Sequence, residues 1–566
     1  MRPIIDRLEP KPVAEWTFMI YMAGDNNLSA DCVWALTEMK KAARSDNINI
    51  IAQFDPSDDH LRTKRFEISE SGLRTYEGST VRKSTGKEAT DESADSGKTL
   101  DDTVSDQAGF DARTGEVQFA EESGKAKVLA GKRQRETDAK RELAKKLRKE
   151  GQFVNVDLPD DSGVASQNDT DTASPITLYN FLSFGVEFYP ARHYLVIVSG
   201  HSAGVLPNYL LRDNSSGRAM DFSQLRDVFT QLKQDLAGHQ DGRAEVIDIL
   251  GFDTCLMSMA EICCELKDLV QTVIGSETYT PASGWPYRSI VEKISQSIIG
   301  ADGNPEMMSS RQVASAIVES YVQYYSDYLL GGVSVALSAL DVTKGDGLIE
   351  VVDDLAKILV GELEAEYAAA TKDQRENATH PFMDALLLAH WEAQSYNGEL
   401  YVDLVDFCEC LSKRYPKESV TTACGAVIEN ARYFVIESAF SGPAYQYSNG
   451  CAIYFPWAEV ERFYGKFRFA QAFGPFLETY TNLTRRGYRI PKDPTAQQLS
   501  QMEEIDATGG NELFRMGSDK MGSDKMGSDK MGSDKMGSDK SGNPIHSMRN
   551  PPIVAINLNN QPKNGN

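Results

Sequence analysis

Short apolar runs, separated by stretches with helical periodicity, constrain the fold of this chain more than any other feature of its sequence. Runs of this length that are apolar at successive positions are typical of strands in a parallel sheet with both faces covered. They lie at residues 16–23 (WTFMIYMA), 47–54 (NINIIAQF), 193–199 (HYLVIVS), 246–252 (VIDILGF), 272–276 and 332–337. The pattern predicts an α/β fold built on a mostly parallel central sheet.

Charge and hydropathy exclude two classes of partner. The 566 residues include 59 Lys and Arg against 83 Asp and Glu, a formal net charge of −24. Because phosphate and anionic lipid both attract basic surfaces, we expect neither nucleic acid nor a membrane as a partner. No apolar run approaches the ~20 residues of a spanning helix. The oligomeric state stays open.

The N-terminus and the cysteines predict a location. The first 16 residues show no apolar core and no small-residue cleavage site of a secretory signal. The 8 cysteines include an adjacent pair and no C-x-x-C motif, so we expect neither a disulfide framework nor a zinc site. These features predict a cytoplasmic protein, with secretion by another route as the alternative.

Composition divides the chain into segments. We predict an α/β domain over residues 14–344, with a charged, flexible insertion at 79–172, and a mainly helical region over 345–490. Residues 491–566 form a predicted disordered tail, which contains five consecutive MGSDK repeats at 516–540.

Reactive side chains follow two of the predicted strands. His201 comes after the run at 193–199, and Cys255 comes after the run at 246–252. Ligands bind at the carboxyl ends of strands in open parallel sheets. A helix predicted to begin directly after Cys255, at Leu256, would lower the pKa of the thiol through its N-terminal dipole. The pair is a candidate cysteine nucleophile and histidine base, and the alternative is a structural Cys beside an unrelated His.

A second motif overlaps the first. Gly200-His201-Ser202-Ala203-Gly204 matches G-x-S-x-G, which would make Ser202 the nucleophile of a serine esterase. That motif requires a helix immediately after the serine. Here Pro207 lies in a stretch that reads as strand or loop, so this is the weaker alternative.

Four blocks together resemble a known family. YMAGDNNL at 21–28, the Gly200–His201 junction, DTCLM at 253–257 and GWPY at 284–287 are similar, in this order, to the clostripain family of cysteine peptidases. That family is related to the caspases, gingipains and legumains. The resemblance implies a caspase-like α/β/α sandwich and an endopeptidase that cleaves after Arg or Lys.

The resemblance also implies roles for individual residues. His201 matches the catalytic histidine, Cys255 the nucleophile, and Asp253 the acid of the primary specificity pocket. The backbone N–H groups of Ser202 and Cys255 would hold the oxyanion. Trp285 would line the pocket, with a packed loop aromatic as the alternative.

Two positions depart from the family pattern. Ser202 stands where glycine is usual, and Ser283 stands where some relatives are expected to carry a second pocket acid. These departures bear on rate and selectivity. The wider alternative is a non-catalytic scaffold that keeps the fold.

The resemblance further implies self-cleavage between the histidine and the cysteine. That interval offers Arg212, Arg218 and Arg243 as candidate sites. No cofactor is required by the chemistry. Calcium, on which some relatives depend, is possible, although no EF-hand-like loop supports it.

Overall fold

The computed structural model describes residues 10–42, 45–57, 63–69, 72–74, 108–111, 116–119, 171–237, 246–300, 305–326, 333–369, 380–457 and 459–485. Nearly all of the insertion predicted over 79–172 lies outside these residues. So does the tail predicted over 491–566, with its MGSDK repeats.

The described residues form strands and helices in alternation. The strands are β1 Ala14–Gly24, β2 Ile48–Pro56, β3 Lys64–Ser69, β4 Gly72–Arg74, β5 Ala108–Asp111, β6 Glu116–Phe119, β7 Ala191–Ser199, β8 Leu210–Asp213, β9 Arg218–Met220, β10 Ile247–Asp253, β11 Val270–Gly275, β12 Ile298–Ile299, β13 Pro305–Glu306, β14 Val335–Asp341, β15 Ser395–Tyr396, β16 Tyr401–Asp403, β17 Val435–Ser441 and β18 Ala452–Tyr454. The α-helices are α1 Ser29–Lys41, α2 Pro175–Phe188, α3 Phe222–Leu236, α4 Ala260–Glu265, α5 Tyr287–Ile294, α6 Ser310–Ser326, α7 Gly345–Ala369, α8 Pro381–Glu392, α9 Leu404–Arg414, α10 Glu418–Phe434 and α11 Arg468–Arg485.

One large sheet organises the molecule. Within the described residues it contains nine strands in the order β17-β14-β11-β10-β7-β1-β2-β3-β4. The five central strands, from β11 to β2, run parallel, and antiparallel strands extend the sheet at both edges. The apolar runs predicted from the sequence are therefore strands of this sheet.

Two hydrophobic cores cover the two faces of the sheet. On β1, Met19 and Tyr21 belong to one core, whereas Phe18 and Ile20 belong to the other. This follows from the strand geometry, because successive side chains point to opposite faces. Helices α2 and α3 pack into the first core, and α1, α5 and α6 pack into the second. The predicted α/β/α sandwich is confirmed.

The region after residue 345 adds helices and a sheet edge. Helices α7 to α11 pack into the first core, and β17 pairs with β14 of the large sheet. The boundary predicted at residues 344–345 stays a prediction. Among the described residues, no helix combines the length and apolarity needed to cross a membrane.

Candidate active site

The sheet brings two candidate residues to one edge. β7 and β10 are parallel neighbours, and Ser199 pairs with Asp253 at their carboxyl ends. His201 and Cys255 each lie two residues beyond these strand ends. Both line one cleft that is continuous with solvent, and Asp253 lines it as well.

The segment after Cys255 is not the helix that the sequence predicts. Helix α4 begins only at Ala260, and Leu256 has a φ of +61°. The backbone N–H groups of Leu256 and Ser258 donate to the carbonyls of Thr278 and Ser276, at 3.0 and 3.1 Å. These bonds fix the segment as a bend against the residues after β11, so the expected helix N-terminus beside the thiol is absent and that prediction is wrong.

Cys255 is protonated in this arrangement. Its Sγ accepts a hydrogen bond from the backbone N–H of Thr280 at 3.4 Å. Burial raises the pKa of the Cys255 thiol to about 12, although the Thr280 N–H opposes this effect. The site therefore holds a neutral thiol, because desolvation disfavours the thiolate.

His201 is neutral as well. Burial, assisted by the charge of Arg212, lowers the pKa of this half-buried imidazole to about 4. Nε2 lies 2.6 Å from Oδ1 of Asn27, an atom that can only accept, so Nε2 carries the proton and Nδ1 the lone pair. No hydrogen bond joins His201 to Cys255 within the described ranges; such contacts are often loose before substrate binds.

Asn27 is a site residue that the sequence reasoning missed. It follows β1, the neighbour of β7, and belongs to the block YMAGDNNL. The preceding Asn26 donates to the carbonyls of Ala23 and Arg212, at 2.8 and 3.0 Å. The residues after β1 thus contact both the imidazole of His201 and Arg212 in the segment that follows His201. The sequence feature that could have identified Asn27 is the polar run directly after a buried strand.

Asp253 has one carboxylate oxygen available to a ligand. Oδ2 accepts hydrogen bonds from the hydroxyls of Ser199 and Tyr287, at 3.1 and 2.8 Å. Oδ1 accepts no hydrogen bond of normal geometry in the described part of the chain, although the residue is only 6% exposed and the backbone N–H of Trp285 lies close enough to favour the carboxylate. Burial raises the pKa of Asp253 to about 6. A side chain at Gly284 (φ +65°) would come within 2.8 Å of Oδ2, so glycine is required there.

Trp285 does not line the cleft as the first sequence interpretation proposed. It is 2% exposed and belongs to the core that covers one face of the sheet. Its ring lies so close to Gly251 that a Cβ there would be 2.7 Å away. The packed aromatic, which was the alternative, is what the structure contains.

Ser202 is next to Cys255, but it does not form a nucleophile elbow. Its hydroxyl donates to the Cys255 carbonyl, and residues 201–209 form a loop with turns where the esterase motif needs a helix. The backbone N–H groups of Ser202 and Cys255 donate to no acceptor among the described residues. Two free donors therefore lie beside the thiol.

The candidate self-cleavage sites differ in setting. Arg212 lies on β8 between the buried Leu211 and Asp213, whereas the Arg218 side chain on β9 is 74% exposed and pairs with Asp171 at 3.2 Å. Arg243 lies outside the described residues. Within the described ranges, no group of three or more His, Cys, Asp or Glu is placed to hold a metal ion.

Comparison with known proteins identifies relatives of this chain. The sequence model of the clostripain family (peptidase C11) matches residues 20–471. Clostripain from Hathewaya histolytica is 23% identical over 323 residues, which cover 51% of this chain and 58% of that relative. The chain thus matches less than two thirds of the relative's length.

Two solved structures align with this chain at low identity. A secreted C11 cysteine protease from Bacteroides thetaiotaomicron, in complex with an irreversible peptide inhibitor, aligns with a TM-score of 0.46 and 15% identity over 82% of this chain and 99% of its own. An inactive zymogen C11 protease from Parabacteroides distasonis aligns with a TM-score of 0.44 and 16% identity over the same shares.

The predicted cytoplasmic location is contradicted by these relatives. The Bacteroides thetaiotaomicron protease named above is described as secreted. The prediction depended on a missing apolar segment near residue 1 and on the cysteine pattern, which carry too little information to fix a compartment, and it is withdrawn.

Proposed function

Because the chain belongs to the clostripain family, we propose that it is a cysteine endopeptidase that cleaves peptide bonds after Arg or Lys. One observation carries the proposal: a histidine, a cysteine and a buried carboxylate with a free oxygen line the same cleft. Each matches a position that the family resemblance assigns to catalysis or to substrate binding.

The nucleophile is activated during attack rather than in advance. The thiol pKa near 12 and the imidazole pKa near 4 favour a neutral pair at rest. As the Cys255 sulfur bonds to the substrate carbonyl carbon, its proton passes to His201. The tautomer fixed by Asn27 leaves Nδ1 as the accepting nitrogen.

Two backbone donors stabilise the oxyanion. The N–H groups of Ser202 and Cys255 have no intramolecular acceptor in the described residues, so no internal bond must break when the carbonyl oxygen gains charge. His201 then gives its proton to the leaving amine, and the C–N bond breaks. Water, deprotonated by His201, hydrolyses the thioester, which releases the acid product and restores the thiol.

Asp253 recognises the basic side chain before the scissile bond. Oδ1 lacks a partner, and a guanidinium or ammonium group would supply one. The ligand charge also offsets the desolvation that now raises the pKa of this carboxyl group. The preference for Arg or Lys follows from this pairing.

Covalent labelling tests the proposal. We expect a peptidyl chloromethyl ketone with Arg or Lys to modify the wild type at Cys255 and to abolish its hydrolysis of an Arg-based peptide. Cys255→Ala should lose activity by at least about 1,000-fold. Peptide mapping must separate Cys255 from Cys32, a free cysteine in the same cleft. Full activity in Cys255→Ala would contradict the mechanism, and an unlabelled wild type would favour the non-catalytic scaffold.

Self-processing is a finer part of the proposal. Of the two candidates in described residues, Arg218 suits cleavage better, because Asp213, which follows Arg212, accepts bonds from the N–H groups of Thr172 and Ser216. Intact mass measurements should show fragments in the wild type and none in Cys255→Ala. Arg218→Gln and Arg243→Gln then distinguish the sites, and equal intact masses for wild type and Cys255→Ala would exclude self-processing.

A further inference from the structure

The cleft contains a second carboxylate to which the proposed mechanism gives no role. Asp31 lies in the first turn of α1 and lines the cleft together with Cys32 of the same helix. Its side chain is half-buried, whereas Asp253 is buried. Asp31 is therefore the more solvent-accessible of two acids in one cleft.

Resting on the proposed function, we propose that Asp31 is a second acidic residue of the primary specificity pocket and shares with Asp253 the recognition of the substrate's Arg or Lys side chain. The site takes an organic cation of the guanidinium or ammonium class.

The first support is electrostatic proximity. Burial is the main cause of the raised pKa of Asp253; hydrogen bonds oppose the rise, and the charge of Asp31 adds to it. Burial also raises the pKa of the Cys32 thiol, and the charges of Asp31 and Asp253 both add to that rise. Two carboxylates within one cleft repel each other, but both attract a cation that lies between them.

The second support is the unpartnered oxygen of Asp253. Oδ1 is buried in the cleft wall and has no hydrogen-bond partner among the described residues. A buried acceptor without a partner is destabilising, and a bound donor removes that cost. A cation bound there lies in the cleft that Asp31 lines.

The third support concerns the position that could have carried a second acid. Ser283 lines the same cleft, but it is uncharged, and its hydroxyl lies 3.1 Å from the hydroxyl of Tyr325. Of the described residues that line this cleft, only Asp31 and Asp253 have carboxyl groups.

A simpler role for Asp31 is separable from this one. A carboxylate in the first turn of a helix interacts favourably with the helix dipole, whatever the substrate. That role affects stability and leaves cation binding unchanged. Glu38, on the same helix, is paired with Lys41 and does not line the cleft, so Glu38→Gln removes an equal charge outside the pocket.

Binding of benzamidine to the full chain carrying Cys255→Ala tests the inference without catalysis. By calorimetry, we expect Asp31→Asn to weaken binding by about threefold to tenfold, and Asp253→Asn by on the order of 100-fold. Glu38→Gln should change binding by less than about twofold. n-Butylamine, as a lysine analogue, should give the same ranking.

Turnover separates this inference from the proposed function. In an enzyme that retains Cys255, Asp31→Asn should lower kcat/KM for Arg and Lys peptides by about threefold to tenfold. It should leave kcat/KM unchanged for a peptide with a neutral residue before the scissile bond. Benzamidine binding equal in Asp31→Asn and Glu38→Gln overturns the role of Asp31 and leaves the peptidase intact. Cation binding that depends on Asp31, without any hydrolysis by the wild type, supports the site and overturns the peptidase. No benzamidine binding at all overturns both.

Discussion

Two buried carboxyl groups at the ends of neighbouring strands have different surroundings. Asp253 ends β10 and lines the cleft, and Glu277 lies two residues beyond β11, against Asp403. Each has one oxygen without a hydrogen-bond partner among the described residues, and the other oxygen of Glu277 accepts a hydrogen bond from the backbone N–H of Gly450 at 3.0 Å. Burial and the Asp403 charge raise the pKa of Glu277 well above its usual value.

This difference shows that burial alone does not make a binding site. Both residues are almost fully buried, and Asp253 lines the cleft that His201 and Cys255 also line. Glu277 lies against Asp403, and because burial raises the pKa of both carboxyl groups we expect them to share a proton, which would join the end of β11 to β16. We expect Asp253 to act in substrate binding and Glu277 to act in stability.

The largest expected effect on activity comes from neutralising Asp253, and the matched comparison is to neutralise Glu277. Asp253→Asn should lower kcat/KM for Arg peptides by on the order of 100-fold, because the substrate cation loses its buried partner. The matched change Glu277→Gln, one strand away, should lower it by less than about threefold. Steady-state kinetics with both variants tests this contrast, and equal losses would abolish the distinction between the two carboxyl groups.

The pH dependence of substrate capture should report Asp253 specifically. Its pKa of about 6 means that the free enzyme loses the carboxylate as pH falls through 6. We expect kcat/KM for Arg peptides to fall about tenfold per pH unit below that point.

A bound cation stabilises the carboxylate, so the corresponding fall in kcat should move to lower pH. His201, whose pKa is about 4, would limit the rate only in more acidic solution. If kcat/KM for a peptide with a neutral side chain before the scissile bond fell in the same way near pH 6, that fall would come from a group other than Asp253.

The carboxyl pair should affect stability in a different pH range. A buried carboxyl group whose pKa is raised in the folded state makes its full contribution to the free energy of unfolding below its unfolded pKa. This contribution is lost as pH rises through the folded pKa. For Asp403 the folded pKa is about 7. Between pH 5 and 8 the free energy of unfolding should therefore fall.

Replacing one member of the pair should flatten that fall. In Glu277→Gln the amide donates to Asp403 and favours its charged form, so the fall should be smaller by about 1–2 kcal/mol. Urea denaturation at both pH values measures this difference, and parallel curves for wild type and variant would contradict the shared proton.

The smallest expected effect is that of metal removal. We propose that Asp31 and Asp253 bind an organic cation and that the chemistry of Cys255 and His201 proceeds without a metal. Incubation with EDTA should change kcat/KM by less than about twofold. A large loss that added calcium restores would show that calcium is required.

The sequence predicted the strands, the sheet covered on both faces and the candidate positions of His201 and Cys255, because apolar runs mark buried strands and polar residues directly after them mark the edge where ligands bind. The role of Asp253 was predicted only through the resemblance to the clostripain family. The family blocks lie at the same edge for the same reason.

Only the tertiary structure decided how these residues are held. Bonds from Leu256 and Ser258 to residues 276–278 replace the helix expected after Cys255, and Trp285 packs against Gly251 instead of lining the cleft. The partners of His201 and Asp253 come from distant segments, Asn27 and Tyr287. The pKa values, the unpartnered oxygen and the place of Asp31 in the cleft depend on such contacts, because desolvation and charge act through space and not along the chain.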